Sequence, residues 1–291
     1  MIPGSFDYHA PSTVEEAVAL LENSGPDTKL LAGGHSLVPA MRFRLAQPAT
    51  LVDINRIAGL DAIREENGHL VLGALVRESA VERSQLVRDR YPLLADTSKV
   101  VADPLVRNRG TVGGNIAHAD PANDHPAAML AYGAEIVAVG PSGKRTIGID
   151  DFFVDLFATA LAENEILVEI HIPTPGPGSG GAYVKFERKV GDYAISAVAV
   201  QLTMEGETCS AVKIGLTNVN PVPMRATDAE AAIVGNTLSD EVLENAGKAA
   251  AAECDPSPDL RGSVEYKRDM TRILTKRAIL RAAERAQGGA A

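Results

Sequence analysis

Two stretches decide how this chain is read: LAGGHSLVPAMR (31–42) and RNRGTVGGNIAHADPAND (107–124). Each sets a Gly-Gly pair beside hydroxyl or amide side chains, shortly before a candidate helix. A diglycine permits left-handed φ values and removes two Cβ atoms, so successive amide N–H groups can converge on one anion. His35, Ser36, Thr111 and Asn115 would add side-chain hydrogen bonds beside such nests. Two nests in one chain suit a ligand with two linked phosphates. Spacing alone also fits two tight turns.

Working outward, Ser12 and Glu15 have capping-box spacing. Val14, Ala17, Val18 and Leu21 form an apolar stripe that stops before Gly25-Pro26, which predicts a helix. Residues 29–32 read as a buried strand running straight into Gly33-Gly34, 38–45 as a brief helix and 51–54 as another strand. This gives a small βαβ-like unit over 1–55. A second unit over 56–173 has strands at 69–72, 135–139 and 166–172, with helices near 78–88, 91–101 and 125–132. Inside it, 103–124 reads as a long irregular segment, and such segments within compact domains are usually functional. TPGPGSGG (174–181) reads as a linker able to form neither helix nor strand. A C-terminal domain over 182–291 follows, with strands at 182–190, 194–204 and 208–218 and helices at 225–234, 239–252 and 264–286. On the last helix Tyr266, Met270, Ile273, Leu274 and Leu280 are expected to face the core, and Gly288 to Ala291 to fray. The fold class is α+β: two ligand-binding subdomains plus a C-terminal domain with a three-stranded antiparallel sheet and helices.

Composition narrows the function. Among 291 residues, 28 Lys and Arg face 38 Asp and Glu, a net charge of −10. That argues against nucleic acid, whose backbone is bound by clustered cations. No apolar run approaches the ~18–20 residues of a membrane span. The opening MIPGSFDYHA has no basic segment followed by an apolar stretch, so a cytoplasmic address is expected. Cys209 and Cys254 are expected as unpaired thiols, and no CxxC or HxxxH occurs. Iron–sulfur clusters and structural zinc sites each take about four ligands, so metal chemistry should sit mainly on another chain. His9, His69, His125 and His171 lack ligand spacing and read as surface or core histidines. Asp103, Asp120 and Asp124 suggest a cation loop, but the glycines among them fit an anion site better. Gly176, Gly178 and Gly181 match GxGxxG, yet the run holds two prolines and leads into strand-like AYVKF rather than a helix. There is no Walker A lysine pattern and no GxSxG elbow.

LAGGHSL followed some 75 residues later by GTVGGNIAHADPAND resembles the FAD-binding subunit of the molybdenum hydroxylase family, the group that includes xanthine dehydrogenases. The likeness covers essentially the whole chain. Within that family MIPGSFDYH, KVGDYA (189–194) and GLTNV (215–219) resemble the flavin-carrying medium subunits of the aerobic carbon monoxide-oxidising branch. The resemblance implies that FAD lies extended between the two subdomains. Ala32, Gly33, Gly34, His35, Ser36 and Leu37 would hold the pyrophosphate from one side, and Thr111, Gly113, Gly114 and Asn115 from the other. Asp124 would fix sugar or ribityl hydroxyls, Leu167 would pack beside the ring system, and Tyr193 would lie against the isoalloxazine. Lys185 would supply a cation favouring the anionic reduced flavin; without the family, a solvated surface pair beside Glu187 and Arg188 is an alternative. His118 stands where xanthine-type relatives carry a smaller hydroxyl residue.

The family further implies a large subunit with a molybdenum cofactor, a small subunit with two [2Fe–2S] clusters, and a dimer of heterotrimers. Electrons would pass to an external acceptor such as a quinone, with any membrane contact made through the complex. Helix 264–286 and Arg-Asn-Arg (107–109) are candidates for partner-facing surface. A sister enzyme acting on an N-heterocycle or aldehyde would share these motifs. Two other readings compete. A free-standing flavoenzyme would need an acid or base beside the ring, for which only Lys185 and Tyr193 offer themselves. An assembly protein without flavin would have no use for intact glycine motifs.

Overall fold

The computed structural model describes residues 2–289. The first unit holds β1 (Asp7–His9), α1 (Val14–Asn23), β2 (Thr28–Leu31), α2 (Leu37–Arg42) and β3 (Thr50–Asp53), with its parallel strands in the order β1-β3-β2. Helix α1 begins one residue later than the capping-box spacing suggests. Thr13 is the N-cap, accepting from the Glu16 amide at 3.2 Å, while the Glu16 carboxylate takes the Ser12 amide at 2.8 Å. Its Ala17, Val18 and Leu21 are buried, but against more than their own sheet. The same core contains Val137, Ile166 and Val168 from the next sheet.

That next sheet is antiparallel, in the order β4-β5-β10-β6-β7. Its strands are β4 (Ile63–Glu66), β5 (His69–Gly73), β6 (Glu135–Gly140), β7 (Gly143–Gly148) and β10 (Ile166–Pro173); β8 (Phe153–Asp155) and β9 (Ala158–Thr159) form a separate hairpin. The central β10 carries a bulge between Leu167 and Glu169. The edge strands β4 and β7 escape a reading based on apolar runs because IREE and GKRTIG are mostly polar, as edge strands exposed to water tend to be. Helices α3 (Glu78–Arg83), α4 (Gln85–Arg90), α5 (Pro92–Val100), α6 (Pro104–Arg107), α7 (Val112–His118) and α8 (Asp124–Tyr132) follow β5. The segment 103–124 is therefore not irregular throughout: α6 and α7 occupy half of it, their starts capped by Asp103 and Thr111. All nine residues of α8 are buried, because it lies between two sheets.

The third sheet is antiparallel with four strands, not three: β11 (Ser179–Phe186), β12 (Ser196–Glu205), β13 (Thr208–Thr217) and the two-residue β14 (Met224–Arg225). So short a strand leaves no periodic signal. The expected linker is also shorter than its composition suggests, since Ser179, Gly180 and Gly181 pair with β12. The glycines serve close packing. A Cβ on Gly180 would run into the backbone of Ala282 and Ala286, and one on Gly181 would come within 2.8 Å of Leu93 Cβ. The apparent GxGxxG thus ends inside a strand.

One face of this sheet packs on α5 and α8, the other on α9 (Thr227–Ile233) and α11 (Val264–Ala286), with α10 (Asp240–Glu253) packed on those two helices. Helix α11 has the expected length, and Leu274 and Met270 meet the core as expected, but part of its buried face differs. Lys267, Thr271, Leu274, Thr275, Ala278, Ile279 and Ala282 are buried, whereas Tyr266 and Leu280 are exposed. Small and hydroxylated residues let the helix approach the sheet closely. The Thr271 hydroxyl donates to the Lys267 carbonyl at 2.8 Å and that of Thr275 to the Thr271 carbonyl at 2.8 Å, so burial leaves neither unpaired. At its end the amides of Gly288 and Gly289 donate to Arg285 and Glu284 carbonyls; the rest of the expected frayed tail lies outside the described residues.

Candidate functional site: a cleft between two glycine loops

Strand β2 delivers the chain to Ala32 and the first diglycine. Gly34 has φ +75°, a conformation a side chain would strain, and its carbonyl accepts the Val38 amide at 3.0 Å to start α2. Ser36 sits at the N-cap of α2 without using its hydroxyl on the helix. The His35 ring Nδ1 donates to the Gly33 carbonyl at 3.1 Å, which ties the loop to itself. In the second loop Thr111 caps α7, its Oγ1 accepting from the Gly114 amide at 3.1 Å.

The loops touch. A Cβ on Gly33 would strike the Arg109 carbonyl and sit 2.9 Å from Gly110 Cα. Arg77 donates to the Arg109 carbonyl and to Asn55 Oδ1, both at 2.6 Å, and Asn55 Nδ2 donates to the Ala32 carbonyl at 2.8 Å. Asn55 and Arg77 therefore clamp one glycine loop to the other. Sequence reasoning missed both. Asn55 lies two residues past β3, the one hint available; Arg77 stands in no motif. Gly113 packs its missing side chain against Ala74, where a Cβ would lie 2.6 Å from the carbonyl oxygen. Gly114 faces its own Thr111 cap, and Ala32 lies 3.8 Å beyond.

Between the loops opens a cleft of about 700 Å³. All fourteen residues singled out from the sequence line it: Ala32 to Leu37, Thr111, Gly113, Gly114, Asn115, Asp124, Leu167, Lys185 and Tyr193. They come from all three sheets or the loops that leave them. Leu167 is buried beside the β10 bulge. Asp124 opens the buried helix α8; its Oδ1 accepts from the Tyr183 hydroxyl at 2.7 Å and its Oδ2 from Lys185 Nζ at 3.0 Å. Burial pushes this carboxyl's pKa up, although Lys185 and the Tyr183 hydrogen bond oppose it. Lys185 is not a solvated surface residue. Its side chain is 3% exposed, and Nζ also donates to the Val100 carbonyl at the end of α5 at 3.0 Å. Tyr193 stands half-exposed at the rim with the Arg261 guanidinium 5.5 Å from its ring centre. Asp192 bridges Arg188 and Arg261 at 2.8 Å each, and those hydrogen bonds hold its pKa well below the usual carboxylate range. The His118 ring packs on Phe157, and burial lowers its pKa.

The remaining candidates resolve structurally. His125 is fully buried with Nε2 2.5 Å from Glu78 Oε2, and His171 pairs with Glu169. Cys209 and Cys254 are both free and buried. Among the described residues no group of three or more His, Cys, Asp and Glu is placed to hold a metal ion. Arg107 is unsuited to meeting a partner, because its guanidinium is occupied by Glu82 and the carbonyls of Val101 and Ala102.

Does this cleft fit a flavin dinucleotide? Asn115 Oδ1 is buried in its wall with no hydrogen-bond partner, the mark of an acceptor awaiting a ligand donor. Leu31, Leu161, Ile166 and Leu167 give it apolar wall for a ring system, and the two closely packed glycine loops border it. The residues fit.

Fold and cleft together define a flavin-binding chain with a separate C-terminal module, and comparison gives that class its family. Residues 4–175 match the model of the FAD binding domain in molybdopterin dehydrogenase, and 181–282 that of the CO dehydrogenase flavoprotein C-terminal domain. The chain belongs to the FAD-binding molybdopterin dehydrogenase family, and its cofactor is FAD. It is 48% identical to the carbon monoxide dehydrogenase medium chain of Hydrogenophaga pseudoflava over 279 residues, covering 96% of this chain and 97% of that one. With the medium chain of Afipia carboxidovorans it shares 44% over 287 residues, covering 99% and 100%. A solved structure of carbon monoxide dehydrogenase from Hydrogenophaga pseudoflava superimposes with a TM-score of 0.96 at 50% identity, covering 98% of this chain and 99% of that one.

Proposed function

We propose that this chain is the flavin-carrying electron-transfer subunit of an aerobic, molybdenum-containing carbon monoxide dehydrogenase. The near-full-length identity to two such medium chains is the observation that carries the reading. In the assembled enzyme a large subunit with the molybdenum cofactor would oxidise the substrate, CO + H2O → CO2 + 2 H+ + 2 e−. A small subunit would relay the electrons through two [2Fe–2S] clusters to this chain, for delivery to an external acceptor such as a quinone. A dimer of heterotrimers is the proposed assembly, with any membrane contact made through it; no described helix is long and apolar enough to cross a membrane.

The bound FAD supplies the two-electron carrier; what this chain supplies is placement. Residues 32–37 and Thr111, Gly113, Gly114 and Asn115 would hold the pyrophosphate from the two sides that the Asn55–Arg77 clamp fixes. Asp124 has lone pairs left over from Tyr183 and Lys185 for sugar or ribityl hydroxyls. Leu167 and Tyr193 would flank the ring, with Tyr193 at the solvent side of the cleft. The Lys185 ammonium is tied up by Asp124, Glu187 and the Val100 carbonyl, which favours electron transfer over a chemistry of the chain's own.

The test is the visible spectrum of the native complex before and after anaerobic addition of carbon monoxide. Bleaching of flavin and iron–sulfur bands together is expected. Intact bands with FAD present would move the substrate to another molecule of the same enzyme class, and full turnover by this chain alone would reject the subunit reading.

A further inference from the structure

A lone lysine beside a flavin would stabilise negative charge on the reduced ring. The surroundings of Lys185 point the other way. Its ammonium is met by Asp124 Oδ2 at 3.0 Å, by Glu187 Oε2 at 3.4 Å and by the Val100 carbonyl at the negative end of helix α5. Behind Asp124, His125 is paired with Glu78, so that neighbouring pair adds no net charge when His125 is protonated. One cation therefore faces two carboxylates and a helix C-terminus, in a pocket where the three side chains are 3%, 7% and 18% exposed.

Glu187 is the unusual member. It lies one residue past the end of β11, two residues from Lys185. Its buried Oε2 has no hydrogen bond and is held only by the 3.4 Å ion pair with Lys185.

We propose that Glu187 sets the sign of the charge at the ring end of the cleft: with Asp124 it overcompensates Lys185, so this wall resists electron uptake and holds the flavin potential down. The proposal rests on the ring placement given above. Reduction follows FAD + 2 e− + H+ → FADH−, with electrons from the partner's iron–sulfur clusters and the proton from water. It adds one negative charge, and a net-negative wall opposes that step while a neutral one does not. A carrier held at low potential hands its electrons on readily.

Spectroelectrochemical titration of the flavin in the assembled complex tests this with three variants. Glu187→Gln, which removes the charge and keeps the shape, should raise the equilibrium constant for flavin reduction roughly tenfold, as expected for a unit charge several ångströms away in a partly screened site. Glu187→Asp should stay near wild type, since charge rather than shape is at issue. Lys185→Gln should shift the constant the opposite way. If Lys185→Gln shifts it and Glu187→Gln does not, the proposal is overturned while the ring placement stands. If neither variant shifts it with FAD bound, the ring placement fails and takes the proposal with it. Loss of FAD from Glu187→Gln alone would make Glu187 a binding residue and likewise overturn a tuning role.

Discussion

A single methyl group at Gly33 would land on the backbone of Arg109 and Gly110, so this glycine keeps the two loops in contact. Gly33→Val should therefore abolish FAD retention by wedging the loops apart. The absorbance ratio of flavin to protein in the purified complex should fall to background. Gly114→Val has a different cause with the same readout: its Cβ would meet the Thr111 hydroxyl at 2.6 Å, spoiling the cap of α7. A lost cap costs about 0.5–2 kcal/mol. Normal flavin content in both variants would reduce the two motifs to ordinary turns. Tyr193 is half-exposed at the rim, so Tyr193→Ala should change flavin potential or acceptor kinetics more than FAD affinity. Wild-type values for both would remove Tyr193 from the ring.

At the scale of elements, the Asn55–Arg77 clamp joins the end of β3 to the segment before α3 and fixes the spacing of the glycine loops. Arg77→Ala removes two charge-assisted hydrogen bonds, each worth about 1.5–3 kcal/mol. FAD affinity should weaken at least tenfold while the sheets stay intact, as fluorescence titration of the apo-complex would reveal. This clamp illustrates the limit of what a sequence discloses. The glycine loops were legible because their chemistry is contiguous: four to six neighbouring residues carry it. Asn55 and Arg77 are single residues 22 positions apart, brought together only by folding. The same contrast runs through the secondary structure. The long helix α11 could be read from its period, but not all of its buried face, which is chosen by small residues such as Ala278 and Ala282 rather than by Tyr266 and Leu280. Edge strands β4 and β7 carry charge where a strand reading seeks apolar alternation.

At the scale of the molecule, two ion-paired sites hold layers together. Asp96 on α5 accepts from Arg285 at 2.7 Å and from Arg281 at 3.2 Å, both on α11, across the edge of the third sheet. Asp96 and Arg285 are both buried, so Asp96→Ala strands a charge and should cost about 3–5 kcal/mol, read as a clear fall in melting temperature. Glu169, on the central strand β10, is bonded by Arg64 and His171, which bring its pKa to about 2 from 4.5 against the opposing effect of burial. A carboxylate with a depressed folded pKa stabilises fully above its unfolded value and loses that contribution as pH falls through the folded one. Wild type should therefore lose stability between about pH 4.5 and 2 more steeply than Glu169→Gln, with denaturant midpoints measured across that window. Parallel curves would assign the acid sensitivity elsewhere.

Helix α1 shares its core with Val137, Ile166 and Val168, residues made more than a hundred positions after it. On a ribosome adding about 5–20 residues per second, the first glycine loop waits roughly 7–27 seconds for β10, the strand that helps bury its supporting helix. The cleft is thus a late product of synthesis. A chain released before β10 would expose the apolar stripe of α1 that this strand covers.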